Sequence, residues 1–122
     1  MTTVLIVDDS RAARMMLKHW IKALRPDYLV KEAGNADEAL NQVAELGTNP
    51  IIMLDYNMPG KNGIELAQEL VPTIAPQRIA LCTANIQEAV RAKAEKLGLG
   101  YVAKPLNPKK VKALFETLEP AA

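Results

Sequence analysis

Val4, Leu5, Ile6 and Val7 form an apolar run with no polar alternation, and a strand of that kind has to be covered on both faces. That requirement points to a parallel sheet sandwiched between helices. A helix follows at once. Ala13, Met16, Leu17, Trp20, Ile21 and Leu24 recur at three-and-four spacing, with Asp9 or Ser10 available as N-cap and Pro26 past the end.

The pair of elements then repeats. Tyr28 to Ala33 reads as a second strand, and Asn35 with Glu38 makes a capping-box start for a helix that turns Ala36, Ala39, Leu40, Val43 and Ala44 inward. Ile51 to Leu54 is the third strand, followed by a shorter helix with Ile64, Ala67, Leu70 and Val71 inward. Ile79 to Thr83 is the fourth. Asn85 then caps a helix carrying Ile86, Ala89, Val90, Ala94 and Leu97 that ends at Gly98. Tyr101 to Ala103 is the fifth, and Asn107 with Pro108 at the first helical position opens a last helix bearing Val111, Leu114, Phe115 and Leu118. Five strands alternating with five helices predict an α/β fold with right-handed crossovers. The common strand order for such a chain is 2-1-3-4-5.

At 122 residues and 49% hydrophobic content, the chain has room for one domain, residues 1–122, burying roughly two thirds of its unfolded surface. A net charge of +1 supplies no overall field for nucleic acid or an anionic membrane. Cys82 is the one cysteine, so an intrachain disulfide is impossible. No apolar stretch is long enough for a membrane span, and the first apolar run is too short for a secretion signal. The expectation is a reduced, soluble, cytoplasmic protein.

In an open parallel sheet, ligands bind outside the carboxyl ends of the strands where the order reverses, here between strands one and three. Asp8 and Asp9 end the first of these strands and Asp55 ends the third. Facing carboxylates repel one another unless a cation relieves them, and oxygen-only donors of this kind suit Mg2+. Thr83 adds a hydroxyl after the fourth strand and Lys104 an ammonium after the fifth. Together these are the parts of a phosphoryl-transfer site. Asp55, emerging alone from an apolar strand, is the better nucleophile; Asp8 and Asp9, being adjacent, are better placed to share the cation.

The same residues carry a resemblance. The segments "VDDS" at 7–10, "LDYNMPGKNG" at 54–63, "CTA" at 82–84 and "YVAKP" at 101–105 each follow a predicted strand. In that order they make the whole chain resemble the receiver domains of response regulators, whose fold is flavodoxin-like and CheY-like. The resemblance implies that Asp55 accepts a phosphoryl group from a phosphohistidine of a sensor histidine kinase or a histidine phosphotransfer protein. It further implies that Asp9 binds Mg2+ directly and Asp8 largely through water, with Asp55 and the Asn57 backbone carbonyl as further ligands. Lys104 is then expected to pair with the phosphoryl oxygens and Thr83 to shift and hydrogen-bond one of them. Tyr101 is expected to swing inward and remodel the face of the fourth helix, fifth strand and fifth helix for a downstream protein target. The implied domain is a phosphoacceptor with Mg2+-dependent self-phosphorylation and autodephosphorylation rather than a conventional enzyme, a monomer or weak dimer. Asn57 and Asn85 occupy positions that tune phosphoryl lifetime in such domains, and the Lys104–Pro105 peptide bond is typically cis in them.

Taken singly, each residue has a plainer reading. Asp8 and Asp9 suit a helix cap, Asp55 a turn, Thr83 a strand, Lys104 the surface and Tyr101 edge-strand packing. Their occurrence in order at four strand ends favours a site. Arg11, Arg14, Lys18 and Lys22 form a basic stripe along the first helix, either a solvated face or a docking surface for the phosphodonor. His19 and Cys82 read as incidental. A flavin or nucleotide binder needs a Gly/Ser/Thr-rich phosphate loop where "DDSRAARM" stands. A phosphatase of the haloacid dehalogenase type carries a second Asp where Asn57 stands. The remaining rival is a receiver-like docking module that works without phosphorylation.

Overall fold

The computed structural model describes residues 2–46, 49–84 and 87–119. Strands β1 (Thr3–Val7), β2 (Leu29–Ala33), β3 (Ile51–Asp55), β4 (Ile79–Thr83) and β5 (Gly100–Ala103) form one parallel sheet in the order β2-β1-β3-β4-β5. Helices α1 (Arg11–Leu24), α2 (Ala36–Leu46), α3 (Gly63–Leu70), α4 (Glu88–Leu97) and α5 (Pro108–Leu118) cover it on both faces. This is the predicted flavodoxin-like architecture and strand order.

Strand pleating sends alternate residues to opposite faces, so the unbroken apolar runs feed two cores. Leu5, Val7, Ile52 and Leu54 pack with residues of α2, α3 and α4, whereas Val4, Ile6, Ile51 and Met53 pack with residues of α1 and α5. Each Leu or Ile fully buried in these layers contributes about 2 kcal/mol. That burial fixes where the strands end, and therefore where the polar residues after them emerge.

Ser10, not Asp9, caps α1, its hydroxyl accepting from the Ala13 N–H. Asn107 caps α5 with Pro108 at the first helical position, and Gly98 ends α4 at φ 82°. Asn35 accepts from the Glu38 N–H, but Glu38 reaches back to the Gly34 N–H, so the box is displaced by one residue. A capping box between Asn62 and Glu65 starts α3. The expected cap Asn85 and its neighbour Ile86 lie outside the described residues; the described α4 begins at Glu88 with Gln87 at the N-cap. The Lys104–Pro105 peptide bond is cis.

Three residues expected to face inward are exposed: Met16, Ala44 and Ala89. Each lies on the flank of its helix's buried stripe, which is narrower than the apolar pattern. In α1 only Leu17 and Ile21 are fully buried, and Met16 instead borders a shallow cleft with Trp20, Pro105 and Leu106.

Tyr28 lies outside the strand that was expected to include it. Its ring meets Phe115 edge-on at 5.7 Å, and its hydroxyl donates to the Glu119 carboxylate. Arg25 donates two further bonds to Glu119, at 2.8 and 3.0 Å, with its guanidinium 5.8 Å from the Phe115 ring centroid. This clamp joins the end of α1 to the end of α5. The Arg25 hydrogen bond, helped by Tyr28 and opposed by burial, holds Glu119 below its ordinary value of 4.5. A carboxylate depressed on folding gives its full stabilisation above the unfolded value and loses it as pH falls through the folded one. Glu119→Gln is therefore expected to cost about 1 kcal/mol at neutral pH and to match wild type in strongly acidic buffer. Thermal melts across that range check this; curves that overlay at neutral pH contradict it.

Candidate functional site

The strand order reverses at β1, which pairs with β2 on one side and β3 on the other. The chains leaving β1 and β3 part here and leave a notch at the carboxyl edge of the sheet. Asp8 follows β1 and Asp55 is the last residue of β3, each after a wholly buried apolar run. Both carboxylates are consequently held low in the notch, at 3% and 7% exposure, with Asp9 exposed above them. One oxygen from each of Asp8, Asp9 and Asp55 lies within 4.8 Å of the others.

Lys104, one residue past β5, closes the group. Its ammonium lies 3.0 Å from Asp8 Oδ2 and 3.2 Å from Asp55 Oδ1. Asp8 also accepts the Ser10 N–H at 2.8 Å. Burial pushes Asp55 above its ordinary value of 3.8 and the Asp8 charge adds to this, while Lys104 pulls the other way. Burial acts to lower Lys104, but the hydrogen bond to Asp8 and the charges of Asp8 and Asp55 outweigh it and raise Lys104 above 10.5. The carboxylates thus hold the Lys104 ammonium charged, while burial and the neighbouring acid work against the charge on Asp55.

Three hard oxygen donors this close, one of them open to water, fit a small divalent cation that keeps part of its hydration shell. Asp9 and Asn57 line the same open groove of about 460 Å³, with Tyr56, Met58, Pro59 and Asn62. Asn57 therefore stands on the rim. Thr83 ends β4 fully buried, one residue beyond Cys82, which pairs in register with Asp55. Tyr101 is half-buried on β5, with the Arg91 guanidinium of α4 5.9 Å from its ring centroid. The structure thus gathers Asp8, Asp9, Asp55 and Lys104, places Asn57 and Thr83 at the edge of the notch, and seats Tyr101 against α4.

The basic stripe of α1 is used inside the molecule. Arg14 donates to the Asp8 carbonyl at 2.5 Å and to Glu32 at 3.2 Å. Lys18 lies 3.8 Å from Glu32, and Lys22 donates to the Tyr28 carbonyl. Three of the four cations in the stripe thus make contacts within the molecule, and Arg14 steadies the backbone of a notch residue. Its periodicity hid that role; the clue was Glu32, on the strand paired with β1. His19 is exposed, and burial pushes the Cys82 thiol up to about 12, leaving it inert.

Gly63 was also missed as a site residue. A Cβ there would stand 2.5 Å from the Asp55 carbonyl oxygen and 3.0 Å from Tyr56 Cα, and its N–H donates to the Tyr56 carbonyl at 2.9 Å. The loop after β3 folds back directly onto the Asp55 backbone. Gly63→Ala is expected to cost about 3 kcal/mol, read as a shifted urea midpoint. An unchanged midpoint means that the loop yields freely.

The family model described as the response regulator receiver domain matches residues 4–116. Chemotaxis protein CheY of Thermotoga maritima is 37% identical, over 88% of this chain and 89% of that protein. The cyclic di-GMP phosphodiesterase response regulator RpfG of Xanthomonas campestris is 34% identical over 94% of this chain, which spans 31% of its length. The chain likewise covers 45% of the transcriptional regulatory protein ResD of Bacillus subtilis. Among solved structures, response regulator TrrA of Thermotoga maritima in complex with Mg2+-BeF is similar, with a TM-score of 0.77 and 29% identity over 97% of this chain and 99% of that one.

Proposed function

The chain belongs to the response-regulator receiver family, and on that premise we propose that it signals by accepting a phosphoryl group on Asp55. The observation that carries this reading is the convergence of Asp8, Asp9, Asp55 and Lys104 where the strand order reverses. A carboxylate oxygen of Asp55 attacks the phosphorus of a phosphohistidine on a kinase or phosphotransfer protein. The phosphorus–nitrogen bond breaks and its electron pair leaves with the imidazole, giving an aspartyl phosphate. Water later attacks the same phosphorus, releasing orthophosphate and restoring the carboxylate.

Asp9 directly and Asp8 largely through water, with Asp55 and the Asn57 carbonyl, would hold Mg2+, which would neutralise phosphoryl charge. Lys104 moves its contact from Asp55 to a phosphoryl oxygen, and the Thr83 hydroxyl takes another. Tyr101 then swings inward and remodels the face of α4, β5 and α5 offered to a protein target. The exposed Met15 and Met16 of α1, at 61% and 57%, beside the cleft lined by Trp20 and Leu106, give the phosphodonor an apolar place to dock. In this reading residues 1–122 act as one receiver unit in the cytoplasm; among the described residues no helix is long and apolar enough to cross a membrane.

Acetyl phosphate with Mg2+, followed by peptide mass spectrometry, tests the acceptor. The added phosphoryl group is expected on the peptide that contains Asp55. A group placed elsewhere contradicts the assignment, and no labelling at all favours a docking module that works without phosphorylation.

A further inference from the structure

Lys110 lies in the first turn of α5, where its N–H donates to the capping Asn107 side chain at 2.8 Å. Its ammonium donates to two backbone carbonyls, those of Ala103 and Pro105, each at 3.0 Å. These two carbonyls stand on either side of Lys104. The Ala103 carbonyl shares a peptide unit with the Lys104 N–H, which donates to the Thr83 carbonyl at 2.9 Å. One peptide plane is thus gripped at both ends, by β4 through its N–H and by Lys110 through its oxygen.

From this doubly held backbone the Lys104 side chain reaches 3.0 Å to Asp8 and 3.2 Å to Asp55. A lysine stem is long and rotamer-rich, so its ammonium is well placed only if its backbone is. Charge-assisted bonds such as those from Lys110 are roughly twice as strong as neutral ones. We propose that Lys110 is a positioning residue for phosphoryl transfer, fixing the segment between β5 and α5 so that the Lys104 ammonium is delivered to the acidic notch. The proposal rests on the reading of Asp55 as phosphoacceptor. Lys110 itself touches neither the notch carboxylates nor the phosphoryl group and acts only through Lys104.

The test compares wild type, Lys110→Met, which keeps the stem but has no donor, and Lys110→Arg, which restores charge and donors. In Lys110→Met the maximal labelling rate at saturating acetyl phosphate and Mg2+ is expected to fall about tenfold. The Mg2+ midpoint stays within about twofold of wild type, because the cation's ligands are untouched. Hydrogen exchange at the Lys104 amide, followed by NMR, rises about tenfold. Lys110→Arg brings both the rate and the exchange back toward wild type. The proposal is overturned if Lys110→Met labels at the wild-type maximal rate, if Lys110→Arg is as slow as Lys110→Met, or if Lys104 exchange is unchanged. Failure of the wild type itself to label removes the phosphoacceptor reading, and the proposal with it. Exchange at Lys104 then still separates a segment that Lys110 holds from one it does not.

Discussion

Asp55→Asn is expected to take up no phosphoryl group from acetyl phosphate and Mg2+, and in metal-free buffer at neutral pH to melt a few degrees above wild type. The loss of labelling follows from chemistry: an amide oxygen is too poor a nucleophile to replace a carboxylate. The gain in stability follows from the notch. Burial and Asp8 raise Asp55 above 3.8 despite the pull of Lys104, so the folded protein binds this proton more tightly than the unfolded chain. A carboxylate raised on folding favours the fold at low pH and penalises it as pH climbs from the unfolded value through the folded one. At neutral pH the penalty is complete, and a neutral side chain removes it. Mg2+ is accordingly expected to stabilise wild type more than the variant, which melting curves with and without the cation measure. Labelling that persists in the variant rules Asp55 out as the acceptor. A variant that melts below wild type without metal means that the Lys104 contact outweighs the repulsion.

Lys104→Met is expected to move stability in the opposite direction while also slowing labelling. Its side chain is 25% exposed, against 4% for Asp8 and 9% for Asp55, so its removal strands two buried carboxylates. Breaking a buried pair costs about 3–5 kcal/mol, and partial exposure of the ammonium reduces this to about 2 kcal/mol. Mg2+ offers the carboxylates another counter-charge and should restore much of the loss, which no ordinary packing defect would allow. The labelling rate is expected to fall about 100-fold or more, since a fixed cation at the developing phosphoryl charge is gone. Comparing melts and labelling rates for the two variants side by side separates repulsion from catalysis. If Lys104→Met labels at the wild-type rate, the ammonium has no part in the phosphoryl step.

The fold was legible because the apolar runs at Val4 and Ile51 cannot alternate between core and water, and that alone demands helices on both faces. The notch carboxylates were legible for the same reason, since a residue that ends a buried strand can emerge only at the sheet edge. What escaped were contacts made by reach rather than by period. Arg14 and Lys110 look like solvated cations in a helical pattern, yet each bends back to a main-chain carbonyl beside the notch. The Arg25, Tyr28 and Glu119 clamp joins residues 94 and 91 positions apart, a pairing that no local pattern encodes. Gly63 sat inside a recognised segment, but its need for a missing Cβ appears only once the Asp55 carbonyl is seen 2.5 Å from where that atom would stand. Met16, Ala44 and Ala89 show the converse error, because apolar spacing marks an arc wider than the neighbouring elements cover.

The most direct measurement is a calorimetric titration of the wild-type protein with beryllofluoride, a phosphoryl mimic, in the presence and absence of Mg2+. One saturable site is predicted, dependent on Mg2+ and lost in Asp55→Asn. Binding that is indifferent to Mg2+ or undiminished in Asp55→Asn, or no binding at all, contradicts a notch built to hold a cation and a phosphoryl group together.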